Sequence, residues 1–206
     1  MTLSELKTLI QNYVENEETT FVNTLNDMII NTEERIFELI QFDFFRKNVT
    51  GNLTTGNTYL TAPSDFLLSF SLAIIDSNND YHYLDKKHPT FMREYSNDAV
   101  ATSERGRPLY YADFDKDLST ASNNGSTLIV SPVPDQDYNV EIHYLYKPVS
   151  LTSQTTGTWI SQNARNALLY GSLIEAYTFM KGEPEIQVLY ETRFGQEIQR
   201  LKNMAE

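Results

Sequence analysis

Apolar residues recur along these 206 residues with two different periods, and the changes of period divide the chain. Over 2–14, Leu3, Leu6, Ile10 and Val14 share one side of a short helix. Thr2 stands where an N-cap belongs, and Glu5, three residues on, completes a capping box. The stretch Glu15-Asn16-Glu17-Glu18 ends it. Over 20–41, Phe21, Leu25, Met28, Ile29, Ile36, Leu39 and Ile40 predict a second, longer helix, with Glu33, Glu34 and Arg35 near its middle. Two helices joined by a short polar turn make a helical hairpin.

The period then drops to two. Residues 44–53 and 58–61 flank Thr55-Gly56-Asn57 and predict a β-hairpin. Residues 67–75 predict a buried strand, and Asn78-Asn79-Asp80 turns it into 81–84. Pro89 at a first helical position predicts a short helix to Tyr95, followed by a polar, mobile stretch over 97–107. Further strands are predicted over 109–114, 127–130 and 139–146, with Ser122-Asn123-Asn124-Gly125 as a tight turn before the second of these. In the last, Val140, Ile142, Tyr144 and Tyr146 share a face. Short strands with frequent turns point to an antiparallel sandwich or barrel.

The last segment returns to the helical period. A Ser/Thr/Gly-rich linker leads into a helix over 166–180 that is apolar or small on nearly every side and carries one charge, Glu175. Such a helix must be covered all round, by the other helices or by a neighbouring subunit. Gly182 is expected to end it and Pro184 to open the last helix. There Ile186, Leu189, Tyr190, Phe194, Ile198 and Leu201 form a stripe, and Gly195 marks a possible close approach of another backbone. The fold class is therefore α+β: an N-terminal helical hairpin, a central antiparallel β-sandwich or barrel, and two C-terminal helices packing with the N-terminal ones. The expected divisions are 1–42, 43–150 and 151–206, the first and last forming one helical domain.

Composition narrows the function. The formal charge of −12 opposes binding to duplex DNA by counterion release. It suits solubility, and it also suits a pore through which DNA must slide without sticking. With no cysteine, thiolate chemistry and disulfides are excluded, which fits assembly in a reducing cytoplasm. Residues 1–5 lack the basic start of a signal peptide, and no run approaches the roughly 20 apolar residues of a membrane helix, so a soluble, non-exported chain is expected.

Candidate chemistry is sparse. His82, His88 and His143 fall in different elements without ligand spacing, and His143 is expected to face solvent. There is no Gly-x-Ser-x-Gly elbow and no phosphate-cradling glycine run. Asp113, Asp115 and Asp117 alternate, but the Gly and distal Glu of a calcium loop are missing, so they read as an acidic turn. Asn48, Asn52 and Asn124 begin sequons that, without a signal peptide, mark only strands and turns. Arg46-Lys47 and Lys86-Lys87 are too small for a nucleic-acid patch. No catalytic residue, metal or cofactor is expected.

Several segments, taken in order, carry a resemblance. They include Thr32-Glu33-Glu34-Arg35-Ile36, Arg46-Lys47-Asn48-Val49-Thr50-Gly51 through Tyr59-Leu60-Thr61-Ala62-Pro63-Ser64-Asp65-Phe66, and Pro108-Leu109-Tyr110-Tyr111. Val130-Ser131-Pro132-Val133-Pro134-Asp135, Glu141-Ile142-His143-Tyr144-Leu145-Tyr146-Lys147-Pro148 and residues 169–183 complete the set. Together they resemble the head-to-tail adaptor (connector) proteins of short-tailed bacteriophages, a group related to the tail tubular protein A type. The resemblance implies a virion structural protein and not an enzyme, assembled in the host cytoplasm. It implies a homo-oligomeric ring, typically of about twelve copies. That ring sits between the portal protein and a tail nozzle that can carry fibres, and its channel passes the genome during ejection without sequence-specific binding. Some members of the wider connector group reach along the portal with long C-terminal arms; with Glu206 the last residue given, any such arm is expected to be short.

Within that reading the 186–201 stripe is a candidate contact with the portal or a neighbour, ordered and buried on docking. Packing on its own chain remains the alternative. Glu33, Glu34 and Arg35 are either solvated or helical-domain subunit contacts. Three other functions stay open. One is a glycan-binding β-module using Tyr81-His82-Tyr83 and Tyr110-Tyr111, one a hydrolase built on paired carboxylates, and one a tail completion protein.

Overall fold

Thr2 caps the first helix as its spacing predicts. Its side chain accepts from the Glu5 N–H, and the Glu5 carboxylate accepts from the Thr2 N–H at 2.8 Å. A computed structural model describes residues 1–40, 42–96, 102–115, 126–154 and 156–205, without the side chains of Phe42, Asp43 and Ala205. The predicted turn at 122–125, Asn124, Asp117 and part of the 97–107 stretch lie outside these residues. The chain divides into two compact units, one of residues 1–44 with 148–206, the other of residues 45–147.

The first unit is helical. It contains α1 (Leu3–Val14), α2 (Thr19–Leu39), α4 (Trp159–Asn163), α5 (Arg165–Met180) and α6 (Pro184–Ala205). The all-round apolar helix is α5, and its own chain covers it: α1, α2, α4 and α6 all pack against it. Leu168, Leu173, Ile174 and Ala176 are buried, while Phe179 near its end stays exposed. Gly171 lets the neighbours close in, because a Cβ there would lie 2.3 Å from Thr32 Cγ2 on α2 and 3.1 Å from the Phe194 ring on α6. Burial of large side chains such as Phe21, Ile29 and Phe194, at ~1.5–3 kcal/mol each, drives this packing.

Two local expectations are corrected here. The residue that leaves α5 in the left-handed region is Lys181 (φ 54), not Gly182. Gly182 is small for a different reason: its Cβ would come within 2.5 Å of the Tyr177 ring. The Ser/Thr/Gly-rich linker also holds α4, which Thr158 starts with a capping box to Ser161.

The second unit is a sandwich of two four-stranded sheets. Its strands are β1 (Arg46–Leu53), β2 (Tyr59–Thr61), β3 (Phe66–Ile75), β4 (Tyr81–Tyr83), β5 (Asp85–Lys86), β6 (Tyr110–Asp115), β7 (Thr127–Ser131) and β8 (Tyr138–Tyr146). One sheet runs β1-β8-β3-β4 and the other β2-β7-β6-β5. The predicted hairpin of 44–61 is not formed. β1 pairs with β8, Arg46 opposite Leu145, whereas β2 pairs with β7 in the other sheet. The Thr-Gly-Asn turn carries the chain between sheets instead of folding it back, and Gly56 supplies the positive φ (75°) the turn needs. β5, unforeseen in the sequence, adds a short parallel edge beside β6.

Alternation sends Leu72, Ile74, Val140, Ile142 and Tyr144 from one sheet, and Tyr111, Leu128 and Val130 from the other, into a shared core. The short helix α3 (Pro89–Tyr95), with Pro89 in its first turn, covers the far side of the second sheet through Met92, Ala112 and Ile129. A polar clasp also ties the sheets together. Lys86 Nζ donates to Asp113 Oδ2 at 2.7 Å and to Ser69 Oγ at 2.8 Å, and Ser69 Oγ donates to Asp113 Oδ1 at 2.8 Å.

Candidate interaction surfaces

Successive helical residues point about 100° apart, so Glu33, Glu34 and Arg35 cannot share one role. Glu33 turns inward. It is 6% exposed, and its carboxylate accepts the Leu151 backbone N–H at 3.0 and 3.3 Å, anchoring the 3₁₀ turn Leu151–Ser153. Burial raises its pKa, and hydrogen bonds from Ser150 and Leu151 offset part of that rise. Glu34 is exposed. Arg35 is half-exposed; it pairs with Glu191 of α6 at 2.9 Å and lays its guanidinium 4.6 Å over the Phe194 ring. One residue from each of the two expected contact sets, Arg35 and Phe194, thus meet inside one chain.

The last helix has two distinct sides. Tyr190, Phe194, Ile198 and Leu201 are buried within the helical unit, Tyr190 packing edge-on against Tyr177 at 5.3 Å. Ile186 is half-buried at the start of the helix. Leu189 is 47% exposed and lies on the other side with Val188. Thr192, Gly195, Gln196 and Gln199 continue that exposed side. Sequence reading had not singled it out; its signal was the absence of charge at those positions. Its own helix backbone and chain neighbours aside, no heavy atom of the described residues lies within 4 Å of where a Gly195 Cβ would be, so no close approach of another described element accounts for it.

In the β-unit the outer side of the β1-β8-β3-β4 sheet carries a cluster of exposed aromatic groups. Tyr83 is 68% exposed; Tyr81, Phe70 and Leu68 are also exposed. The Arg46 guanidinium sits 4.3 Å over the Phe70 ring, the His143 ring lies 5.5 Å from it, and Tyr81 Oη donates to Glu141 at 3.4 Å. Of the other tyrosine pair, Tyr111 is buried in the core and Tyr110 packs under α3 against Phe91 and Tyr95.

The remaining titratable groups hold local structure. His82 bonds Asp76 at 2.9 Å, and that bond together with backbone N–H groups of Asn78 and Asp80 keeps the Asp76 carboxyl below its usual range. The His88 side chain caps α3 by accepting from the Thr90 N–H. Burial works to raise the pKa of Asp65, but hydrogen bonds from Lys47 and Tyr144 outweigh it and hold the group below its usual value. A depression of about 480 Å³ at one end of the sandwich is lined by Asn52, Asp76, Gln136 and Asp137 among others. Its two carboxylates are committed to the surrounding turns, Asp137 by the Thr55 N–H and hydroxyl. Among the described residues no three His, Asp or Glu side chains converge to hold a metal ion, and no helix is long and apolar enough to cross a membrane.

The family model described as SU10 adaptor protein matches residues 1–206. No curated protein matches the chain.

Proposed function

Since the chain belongs to the SU10 adaptor protein family, a family of phage adaptor proteins, we propose that it is the head-to-tail adaptor of its virion. It forms a ring of about twelve copies between portal and tail nozzle and extends the channel through which DNA leaves the head. The observation that carries this reading is the match over the whole chain, helical and β-units alike. The finer likeness to the tail tubular protein A type rests on the ordered segments quoted above.

The physics of the chain supports such a role. The helical unit buries its own core, including Tyr190, Phe194, Ile198 and Leu201, so a single copy can fold before it meets a partner. Of the last helix's stripe, Leu189 is the exposed member, open to a neighbour or to the portal. Glu34 and the half-exposed Arg35 remain candidates for subunit contacts; Glu33 serves its own unit. The sheet surface around Tyr81, Tyr83 and Phe70, apolar in its rings and wet at its edges, suits a tail partner. A ring made of chains with 28 acidic and 16 basic side chains presents DNA with a repelling wall, and the genome slides. Individually weak contacts become effectively permanent once a portal presents many sites in register.

Mass-resolved sedimentation of the chain, alone and mixed with portal rings of the same particle, tests the proposal. Recruitment at one copy per portal subunit is the expected result. A chain that ignores the portal overturns it. The exposure of Tyr81 and Tyr83 favours one second reading, a glycan-binding tail module, and saturable glycan binding by the single chain is its test.

A further inference from the structure

The exposed side of α6 is unusual for so charged a chain. Val188, Leu189, Thr192, Gly195, Gln196 and Gln199 form a strip along three turns of helix in which no residue is ionisable. The charges of α6 in this span flank the strip, with Arg193 exposed and Glu191 half-exposed, and each is engaged by a residue of its own chain. Glu191 pairs with Arg35, Arg193 bonds the Tyr170 hydroxyl, and Glu197 takes Asn166 and Arg200. In the middle of the uncharged side stands Gly195, the poorest helix former after proline. Its backbone is ordinary helix without a positive φ, and among the described residues, its own helix backbone and chain neighbours aside, nothing lies within 4 Å of its missing Cβ. Packing among the described residues therefore gives no reason for a glycine there; close approach of a second backbone does.

We propose that this side of α6 is a helix-packing contact with a second copy of the same chain, closest at Gly195. This rests on the ring reading above and names the surface it uses. Charge selects the occupant. Copies that each carry −12 repel wherever their charged surfaces face, and an uncharged side is where they can approach without that penalty. A partner of opposite charge would be met by a charged face instead. Size sets the strength. Twelve residues of helix span ~18 Å, and a strip roughly 10 Å wide covers far less than the ~800 Å² per partner of a stable pair. The contact is thus one of several in a closed ring and is weak between free copies.

The chain has no cysteine, so Gln196→Cys carries its only thiol. That variant, labelled with a benzophenone maleimide, is irradiated after assembly on portal rings and also alone at raised concentration. Crosslinks to a second copy are expected. Crosslinks running only to portal subunits, or no crosslink within an assembled ring, overturn the contact while leaving the adaptor reading intact. If the unmodified chain neither joins portals nor self-associates, the ring reading fails and this contact with it. In parallel, Gly195→Ala and Gly195→Leu separate folding from assembly. Open space around Gly195 predicts that both raise the unfolding midpoint of the single chain, by ~2–4 °C for Ala. Close packing predicts that Leu weakens association ~10-fold or more. A Leu variant that assembles as well as the parent, or better, overturns the proposal.

Discussion

Gly171→Ala is the sharpest test of how the helical unit is held together. An added methyl at this mid-helix position should by itself help, by ~0.5–1 kcal/mol, because alanine restricts the unfolded chain and favours helix. The structure predicts the opposite sign. The new Cβ would stand 2.3 Å from Thr32 Cγ2, about 1.1 Å inside the 3.4 Å where ordinary contact begins, and 3.1 Å from the Phe194 ring. Thr32 cannot easily swing away, because its hydroxyl is bonded to the Met28 carbonyl at 2.9 Å and its side chain is buried. Overpacking of this kind costs ~1–3 kcal/mol or more, so the net loss should be ~0.5–2 kcal/mol. Thr32→Ser removes only the offending methyl and keeps the hydroxyl bond; alone it should cost ~0.5–1.5 kcal/mol through the small cavity it leaves. Together the two changes should largely cancel, with a coupling of ~1.5–3 kcal/mol in their favour. Urea unfolding followed by the fluorescence of Trp159, the single tryptophan, reads the helical unit alone, since it lies in α4 against Phe44 at 4.7 Å. A Gly171→Ala variant as stable as the parent, or losses that simply add in the double variant, would refute the packing described between α2, α5 and α6.

Two carboxylates should respond to pH with opposite signs. Because burial raises the Glu33 pKa, its contribution is fully present below the unfolded value of about 4.5 and is lost as pH rises through the folded value. Glu33→Gln should therefore flatten that part of the Trp159 stability profile, and an unchanged profile would count against the burial seen here. Asp65 is depressed despite its burial, so its contribution is present above about 3.8 and is lost as pH falls through the lower folded value. Asp65→Asn should reduce the acid sensitivity of the β-unit, read by near-UV circular dichroism of its tyrosines, and leave Trp159 unaffected. Thr2→Ala should loosen α1 by ~1 kcal/mol, visible as faster amide exchange in its first turn, and equal exchange would mean the capping box carries no weight. Tyr83→Ser on the outer sheet surface should leave thermal stability within ~0.5 kcal/mol yet weaken capture of the tail nozzle by portal-bound rings; undiminished capture would remove that surface from the proposed tail contact.

What could be read directly from the sequence was local. The capping box of Thr2 and Glu5, Pro89 and Pro184 at helix starts, and the face shared by Val140, Ile142 and Tyr144 depend on residues within a turn or two of one another. Period also told which side of α6 was apolar, though not that Leu189, one residue from Tyr190 and so about 100° away, would fall outside it. Tertiary structure decided what each apolar side meets. The stripe of α6 and the all-round apolar α5 found partners in helices that a whole β-unit separates from them in sequence, since α1 and α2 precede it. β1 and β2, adjacent in sequence around a good turn, went to different sheets because their partners β8 and β7 lie dozens of residues downstream, where no local signal reaches. The same holds for glycine. The sequence shows Gly171, Gly182 and Gly195 as three gaps in helical segments, and only packing distinguishes them. Thr32 and Phe194 crowd the first, Tyr177 crowds the second, and the third stands open among the described residues, in a strip without ionisable residues.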